Sequence, residues 1–315
     1  MTLATGSNTS IGYITEVTAG TTPGTPAFNL VPINDFSLVL TKDTFTDPTI
    51  QQDRQAHFFK HGNRKVGGDV SVTLLGVGAT PTGNTLFDPW FESAMNAAWT
   101  ANVLKIGNTS KSFTFEKRIT DSAGTVNYFR YKGTQCTGFS FDVALNAPVK
   151  AKFTFAGLDV DPLATAIITG ATYVAVPTAP QPFIHINANN LFKEGGSATT
   201  LMTAFSINLV NGADVNYALG SAVAQSITTS KAQISGSCTF YFSDATLYNK
   251  FVNETATSLS VKLSDGTRSL QFDLGTVVYG AATQVINNEN TVIVTMPYTA
   301  VYDTTNTSTL MITRA

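Results

Sequence analysis

Charge is what this chain has least of. Among 315 residues, 19 are Lys or Arg and 21 are Asp or Glu, so charged residues make up 13% and the formal net charge is −2. That share is about half of the usual one. Without a basic footprint, tight nucleic-acid binding is not expected. Cysteine is nearly absent too: Cys136 and Cys238 fall in strand-like runs and are expected as buried free thiols, acting as small hydrophobes. Of three histidines, His57 and His61 stand four apart, but Gly62, Gly67 and Gly68 argue for a loop and no HExxH-type glutamate lies between them, so no metal is expected. His185 stands alone.

Long apolar runs are missing as well. The most apolar stretch, Pro162 to Pro180, is broken by Thr, Gly and Pro and falls short of the ~20 residues of a membrane helix, so no membrane insertion is expected. The start, MTLATGSNTS, has no basic region ahead of an apolar one, so no secretory leader is expected. Neither a phosphate loop ending in Gly-Lys-Ser/Thr nor a GxSxG elbow occurs, and Asp and Glu do not pair across the chain as hydrolase carboxylates would. An enzyme and a cofactor are both unexpected.

What is present is core material and neutral polarity. Hydrophobic residues reach 43% and aromatics 10%, enough for a packed core in one large β domain or two ordinary ones. A surface so poor in charge points to assembly.

The chain repeats itself once. FSLVLTKD (Phe36 to Asp43) matches FSINLVNG (Phe205 to Gly212), and GDVSVTLL (Gly68 to Leu75) matches GSCTFYFS (Gly236 to Ser243). LFDPWFESAMN (Leu86 to Asn96) matches FSDATLYNKFVN (Phe242 to Asn253), SFTF at Ser112 matches SLSV at Ser258, and GTQCTG (Gly133 to Gly138) matches GTVVYG (Gly275 to Gly280). Collinear order carries the inference. Each copy reads as strand, long loop, strand, helix and four more strands, as in the period-two runs Ser258 to Leu263 and Ser269 to Leu274. In the first helix, expected over about 87–98, Asp88 is placed to cap, Pro89 begins the helix, and Trp90, Phe91, Ala94, Met95 and Ala98 form one stripe. The second, expected over about 244–253, has Asp244 as cap and Leu247, Tyr248, Phe251 and Val252 at the same spacing. Residues 161–182, rich in Thr, Ala and Pro, read as a linker between copies 1–160 and 183–315.

One charged cluster stands out, DRQAHFFKHGNRK, holding Asp53, Arg54, His57, Phe58, Phe59, Lys60, Arg64 and Lys65. It falls in the loop expected over 44–66. A solvated loop, a phosphate patch with Phe58 and Phe59 stacking on bases, and a protein contact are the three readings. Adjacent aromatics on a loop favour the contact. The matching loop of the second copy, 212–231, is neutral and rich in Ala and Ser, which argues against a nucleic-acid site built by both copies.

Taken together, TEVTAGTTPGTPAFNLVPI, FSLVLTKD, a charged loop containing QQDRQ, KVGGDVSVTL and LFDPWFESAM resemble a tail tube protein of bacteriophages with long non-contractile tails. The likeness spans residues 13 to 159 and, through the repeat, about 203 to 303. It implies a mainly β fold: two tandem β-sandwich or half-barrel tube domains, each with one short flanking helix and extended arms and loops. It further implies a virion protein, assembled in the host bacterial cytoplasm, whose copies pair edge strands into stacked rings around a pore for viral DNA. The partners implied are further copies of itself, the tape measure protein and viral DNA in the lumen without sequence-specific binding, and tail terminator and tail tip proteins. Residues of the charged cluster are then expected between rings. Trp90, Phe91, Met95, Leu247, Tyr248 and Phe251 are expected in helix packing, and Tyr13, Phe28, Leu30, Phe183 and Ile184 in arm contacts, with the amino-terminal arm over 1–34.

Family rings hold six single domains, so two in tandem imply three chains per ring. About 24 strands, ~4.8 Å apart and tilted ~40°, give a lumen roughly 40 Å wide against ~20 Å for a DNA duplex. Which face of the sheet lines it is open at this point. A capsid decoration or tail-tip adhesion module is the alternative. An outer-membrane barrel lacks its apolar outward bands here.

Overall fold

Period-two alternation becomes sheet. In Lys150 to Phe155 the residues Ala151, Phe153 and Phe155 are buried while Lys150 and Lys152 face outward, as one-sided burial of an antiparallel strand requires. The computed structural model describes residues 3–50, 52–77, 86–177, 180–184, 191–285 and 291–315, so His185 lies outside the described residues.

The first half contains β1 (Ala4–Thr15), β2 (Ala27–Val31), β3 (Asp35–Phe36), β4 (Val39–Thr46), β5 (Phe59–Thr73), β6 (Leu75–Gly76), α1 (Asp88–Met95) and β7 (Val103–Lys105). It continues through β8 (Phe113–Asp121), β9 (Val126–Ala144), β10 (Lys150–Gly157) and β11 (Asp159–Val160). Then come β12 (Thr172–Val174), β13 (Gln181–Pro182), β14 (Leu191–Glu194), β15 (Ser197–Ala198), β16 (Met202–Val210), β17 (Asp214–Asn216), β18 (Ser226–Thr228) and β19 (Gln233–Tyr241). The chain ends with α2 (Thr246–Val252), β20 (Thr257–Ser264), β21 (Ser269–Tyr279), β22 (Thr283–Val285), β23 (Ile293–Val301) and β24 (Met311–Arg314). The fold is mainly β, as expected.

The repeat is visible in the ladders. One run of antiparallel strands reads β4, β5, β10, β9, β16, β19, β23, β22, each paired with the next. Its first four strands correspond in order to its last four. Gly68 and Gly236 mark the correspondence: a Cβ there would lie 2.5 Å from the Ser37 carbonyl oxygen and 2.1 Å from that of Ser206, so only glycine permits the close approach. The match of Gly133 to Gly275 is one residue out of step in space. Gly68 faces Phe155, which opposes Cys136, and Gly236 faces Tyr298, which opposes Tyr279. Cys136 therefore corresponds to Tyr279.

β9 belongs to two layers. Its first part pairs with β8, which pairs with β1, and its last part joins the long run. α1 lies between these layers. Trp90 is fully buried against Tyr13, Phe115, Phe153 and Phe155, with ring centroids 5.3–5.6 Å apart, edge-on to Phe153 and Phe155 and tilted to the other two; edge-on aromatic pairs add about 0.5–1.5 kcal/mol each beyond their buried area. The first residue of the helix is Asp88, not its cap: no side chain caps Phe87, and the Asp88 carboxylate pairs instead with Arg314. Asn96, the C-cap in the left-handed region, ends the helix at Met95 and not at 98.

α2 is shorter and peripheral. Leu247 and Phe251 pack on the core from half-buried positions, while Tyr248 is exposed. Asp244 accepts a 2.7 Å hydrogen bond from the Thr246 amide.

Three expectations change. The loop over 44–66 is largely a ribbon, because β4 and β5 pair from Val39↔Gly67 to Thr46↔Phe59, and its tip holds the described residues 47–50 and 52–58. The stretch expected as a linker is tied down at two places: β12 adds parallel to β2, and β13 pairs with β6. Tyr173 fastens this segment, stacking on Phe28 and donating a 2.5 Å hydrogen bond to Glu116, itself in a buried 2.7 Å pair with Arg130. Third, the amino-terminal arm is a pair of sheet strands, so Tyr13 and Phe28 sit inside this chain's own core with Leu30 half-buried beside them. Phe183 is likewise fully buried, bonded through its backbone to Leu74 and Val149, and Ile184 is half-buried. Burial within the chain removes Tyr13, Phe28 and Phe183 from contact with a neighbour. An arm rich in alternating aromatics finds its nearest apolar surface at home.

The halves share one hydrophobic cluster, with Phe272 against both Phe91 and Phe141. The final segment beyond Tyr302 supplies β24, which joins β21 to β7.

Candidate functional site

Three surfaces are candidates: the open face of the eight-strand run, its two ends, and the β4–β5 ribbon. The open face carries the residues that alternate with the core. One row across it reads Asp35, Ser71, Lys152, Ser140, Asn208, Ser235, Thr299. The next reads Thr73, Lys150, Asp142, Ser206, Ser237, Pro297. Charge on these rows is balanced and confined to the first half, where Lys152 meets Asp69 at 3.3 Å. In the second half hydroxyls bond across strands, Ser206 to Ser237 at 2.9 Å and Thr239 to Thr295 at 3.1 Å. Such a face is wettable and nearly neutral, and offers a polyanion few counterions to exchange.

The middle of the run is a joint between halves. β9 pairs with β16 from Gly138↔Val210 to Ala144↔Ala204. Phe139, Phe141, Ile207 and Leu209 seal its core side and are at most 1% exposed. Asn211 closes one end, its amide donating to the Cys136 carbonyl at 2.9 Å. The ends of the run are β4 and β22, which among the described residues ladder only with β5 and β23.

The β4–β5 ribbon exposes Phe45, Phe58 and Phe59. At its tip His57 and Asp53 pair at 3.0 Å, and Asp47 accepts from the Thr49 hydroxyl, which holds its carboxyl below the usual range. Arg54 and Lys60 are exposed there. Lys65, at the base, bonds Asp43 at 2.7 Å, which raises its pKa. Arg64 differs from its neighbours, because it turns inward to Asp159 at 2.8 Å and to the Val160 carbonyl. Its own amide donates to Ala222 and its carbonyl accepts from Tyr217, both in the second half's loop. The charged cluster is thus divided: Arg64 ties the halves together, and the rest stays on the ribbon.

Sequence reasoning missed the β9–β16 joint. The signal was the repeat itself, whose first strand in each copy needs a partner on both sides.

A search of curated proteins returns no match. A family model described as phage tail tube protein matches residues 6–300, nearly the whole chain. That family is structural, its members being virion components that self-assemble into a tube. The free strand edges, the polar open face and this match agree, and the chain belongs to the phage tail tube protein family.

Proposed function

We propose that three copies of this chain close into a ring of pseudo-sixfold symmetry, and that stacked rings form the tail tube of a phage with a long non-contractile tail. The observation that carries this reading is the β9–β16 joint: two equivalent four-strand units already sit edge to edge within one chain, as neighbours in a ring must. Closure removes the free edges that would otherwise invite indiscriminate pairing. Three chains of eight strands supply about 24, the number that leaves a lumen of roughly 40 Å.

In this reading the open face lines the lumen, since its opposite face is filled by α1 and the second layer. Ser, Thr and Asn, with Lys150 and Lys152 offset by Asp69 and Asp142, let DNA pass on ejection without being held. The β4–β5 ribbon, with Phe58, Phe59 and Lys60, reaches towards the next ring. The tape measure protein occupies the lumen before DNA, and tail terminator and tail tip proteins cap the ends, all assembled in the host cytoplasm. Electron microscopy and mass measurement of the purified, assembled protein test the proposal. Hollow tubes whose isolated rings weigh three chains are expected; six chains per ring, or globules that never polymerise, overturn it.

A further inference from the structure

The joint inside the chain is a template for the joint between chains. β16 corresponds to β3 and β4 taken together, since Phe205 opposes Cys238 as Phe36 of β3 opposes Val70, and Asn208 opposes Ser235 as Val39 of β4 opposes Gly67. The end of β9 corresponds to β22, since Ser140 opposes Lys152 as Thr283 opposes Thr295. Inside the chain the two are paired. At the ends of the run, each counterpart keeps one edge without a ladder among the described residues.

We propose that β4 of one chain pairs antiparallel with β22 of a second copy in the inherited register, Val39 opposite Thr283, with Leu38 opposite Gln284 and Leu40 opposite Ala282. These positions repeat Asn208↔Ser140, Ile207↔Phe141 and Leu209↔Phe139. The inference rests on the ring reading above and names its joining residues.

A second observation points the same way. The β17–β18 hairpin of the second half lies over Leu158, packing Ala224 and Ile227 on it. The counterpart of Leu158 is Val301, which is 44% exposed and stands beside exposed Tyr302. The counterpart of that hairpin is the β4–β5 ribbon, where Phe45 of β4 itself is uncovered. Docking in the inherited register brings these two apolar patches to one joint, as their counterparts meet within the chain.

Paired cysteines test it on the full chain. Residues directly opposed on antiparallel strands have Cα atoms about 4.5–5.5 Å apart, inside disulfide reach of ~4.4–6.8 Å, whereas a shift of two residues adds about 6.8 Å along the strand. Cys136 and Cys238 are buried, and desolvation pushes both thiols up to about 12, so they stay out of the reaction. Under mild oxidation of assembled protein, V39C/T283C is expected to give a non-reducing ladder ending at the ring size. S140C/N208C is expected to close within the chain and run as monomer, and V39C/A281C to stay uncrosslinked. A ladder from V39C/A281C in place of V39C/T283C, or hollow tubes that carry neither cross-link, overturns the register while the tube reading stands. Protein that forms no tubes and gives only monomer with V39C/T283C overturns both.

Discussion

In the first half α1 lies between two layers with Trp90 and Phe91 fully buried, whereas in the second half α2 has no buried residue and leaves Tyr248 and Val252 exposed. The first half's arm is folded in, with β1 and β2 in the sheet and Phe28 beneath Tyr173. Its open face carries Lys150, Lys152, Asp69 and Asp142, where the second half has hydroxyls. Four strands in the same order therefore serve two ends: one half is closed over by its own arm and linker, and the other keeps a neutral face and a loosely covered helix. Duplication conserves the ladder, whose hydrogen bonds are backbone, while the layer above it, made of side chains, diverges.

The sharpest way to break this comparison is at the helices. Trp90→Ala is expected to cost about 3–5 kcal/mol. Leu247→Ala, at a half-buried position, is expected to lose roughly half of the ~1.5–3 kcal/mol of full burial. Denaturant midpoints of both variants check this, and equal losses would mean that the two helices carry equal loads.

Next comes the clip on the linker. Glu116 is wholly buried, paired with Arg130 and receiving the Tyr173 hydroxyl. Removing the charged partner, as in Arg130→Ala, leaves the buried carboxylate without a counter-charge and is expected to cost about 3 kcal/mol or more. Lys152→Ala, which breaks the exposed pair with Asp69, is expected to cost less than ~1 kcal/mol. Hydrogen exchange should show amides of 172–174 losing protection in the first variant alone.

A third test makes the neutral face resemble a binder. Asn208→Lys, Ser235→Lys and Thr299→Lys together place three cations on one cross-strand row of the second half. Tube assembly is expected to be spared and DNA passage slowed several-fold, with the delay shrinking as salt rises. Unchanged ejection kinetics would show that this face does not meet DNA.

The smallest effect is expected at Asp244→Asn. The Thr246 hydroxyl and then the Thr246 amide hold the Asp244 carboxyl below its ordinary value. Its contribution is therefore present above the unfolded carboxylate range and lost as pH falls through the depressed value. Acid titration of α2 helicity should lose this step in the variant, with the fold otherwise unchanged.

Much of this was legible before any coordinates. Ser258 to Leu263 and Ser269 to Leu274 alternate cleanly because one face is buried, and they form β20 and β21. Of the stripe Trp90, Phe91, Ala94, Met95 and Ala98, the first four are core, and Ala98, past the end of the helix, is exposed. The ribbon of 44–66 was not legible, because both faces of Phe45, Lys60 and His61 are exposed and an unburied strand leaves no alternation to read. Nor was the fate of Tyr13, Phe28 and Phe183, since an arm's aromatics are equally suited to a neighbour's groove and to their own chain's core.

What the sequence determined by itself is the unit: period-two strands, one apolar helix stripe, glycines at Gly68 and Gly236 where backbones cross closely, and the doubling of that unit. These are local or self-referential properties, written in neighbouring residues. What only the tertiary structure decided is which edges meet. β9 finds β16, the arm and linker settle on the first half, and β4 and β22 remain at the ends. Strand edges present the same backbone N–H and C=O groups everywhere, so their choice of partner depends on packing between residues far apart in the chain.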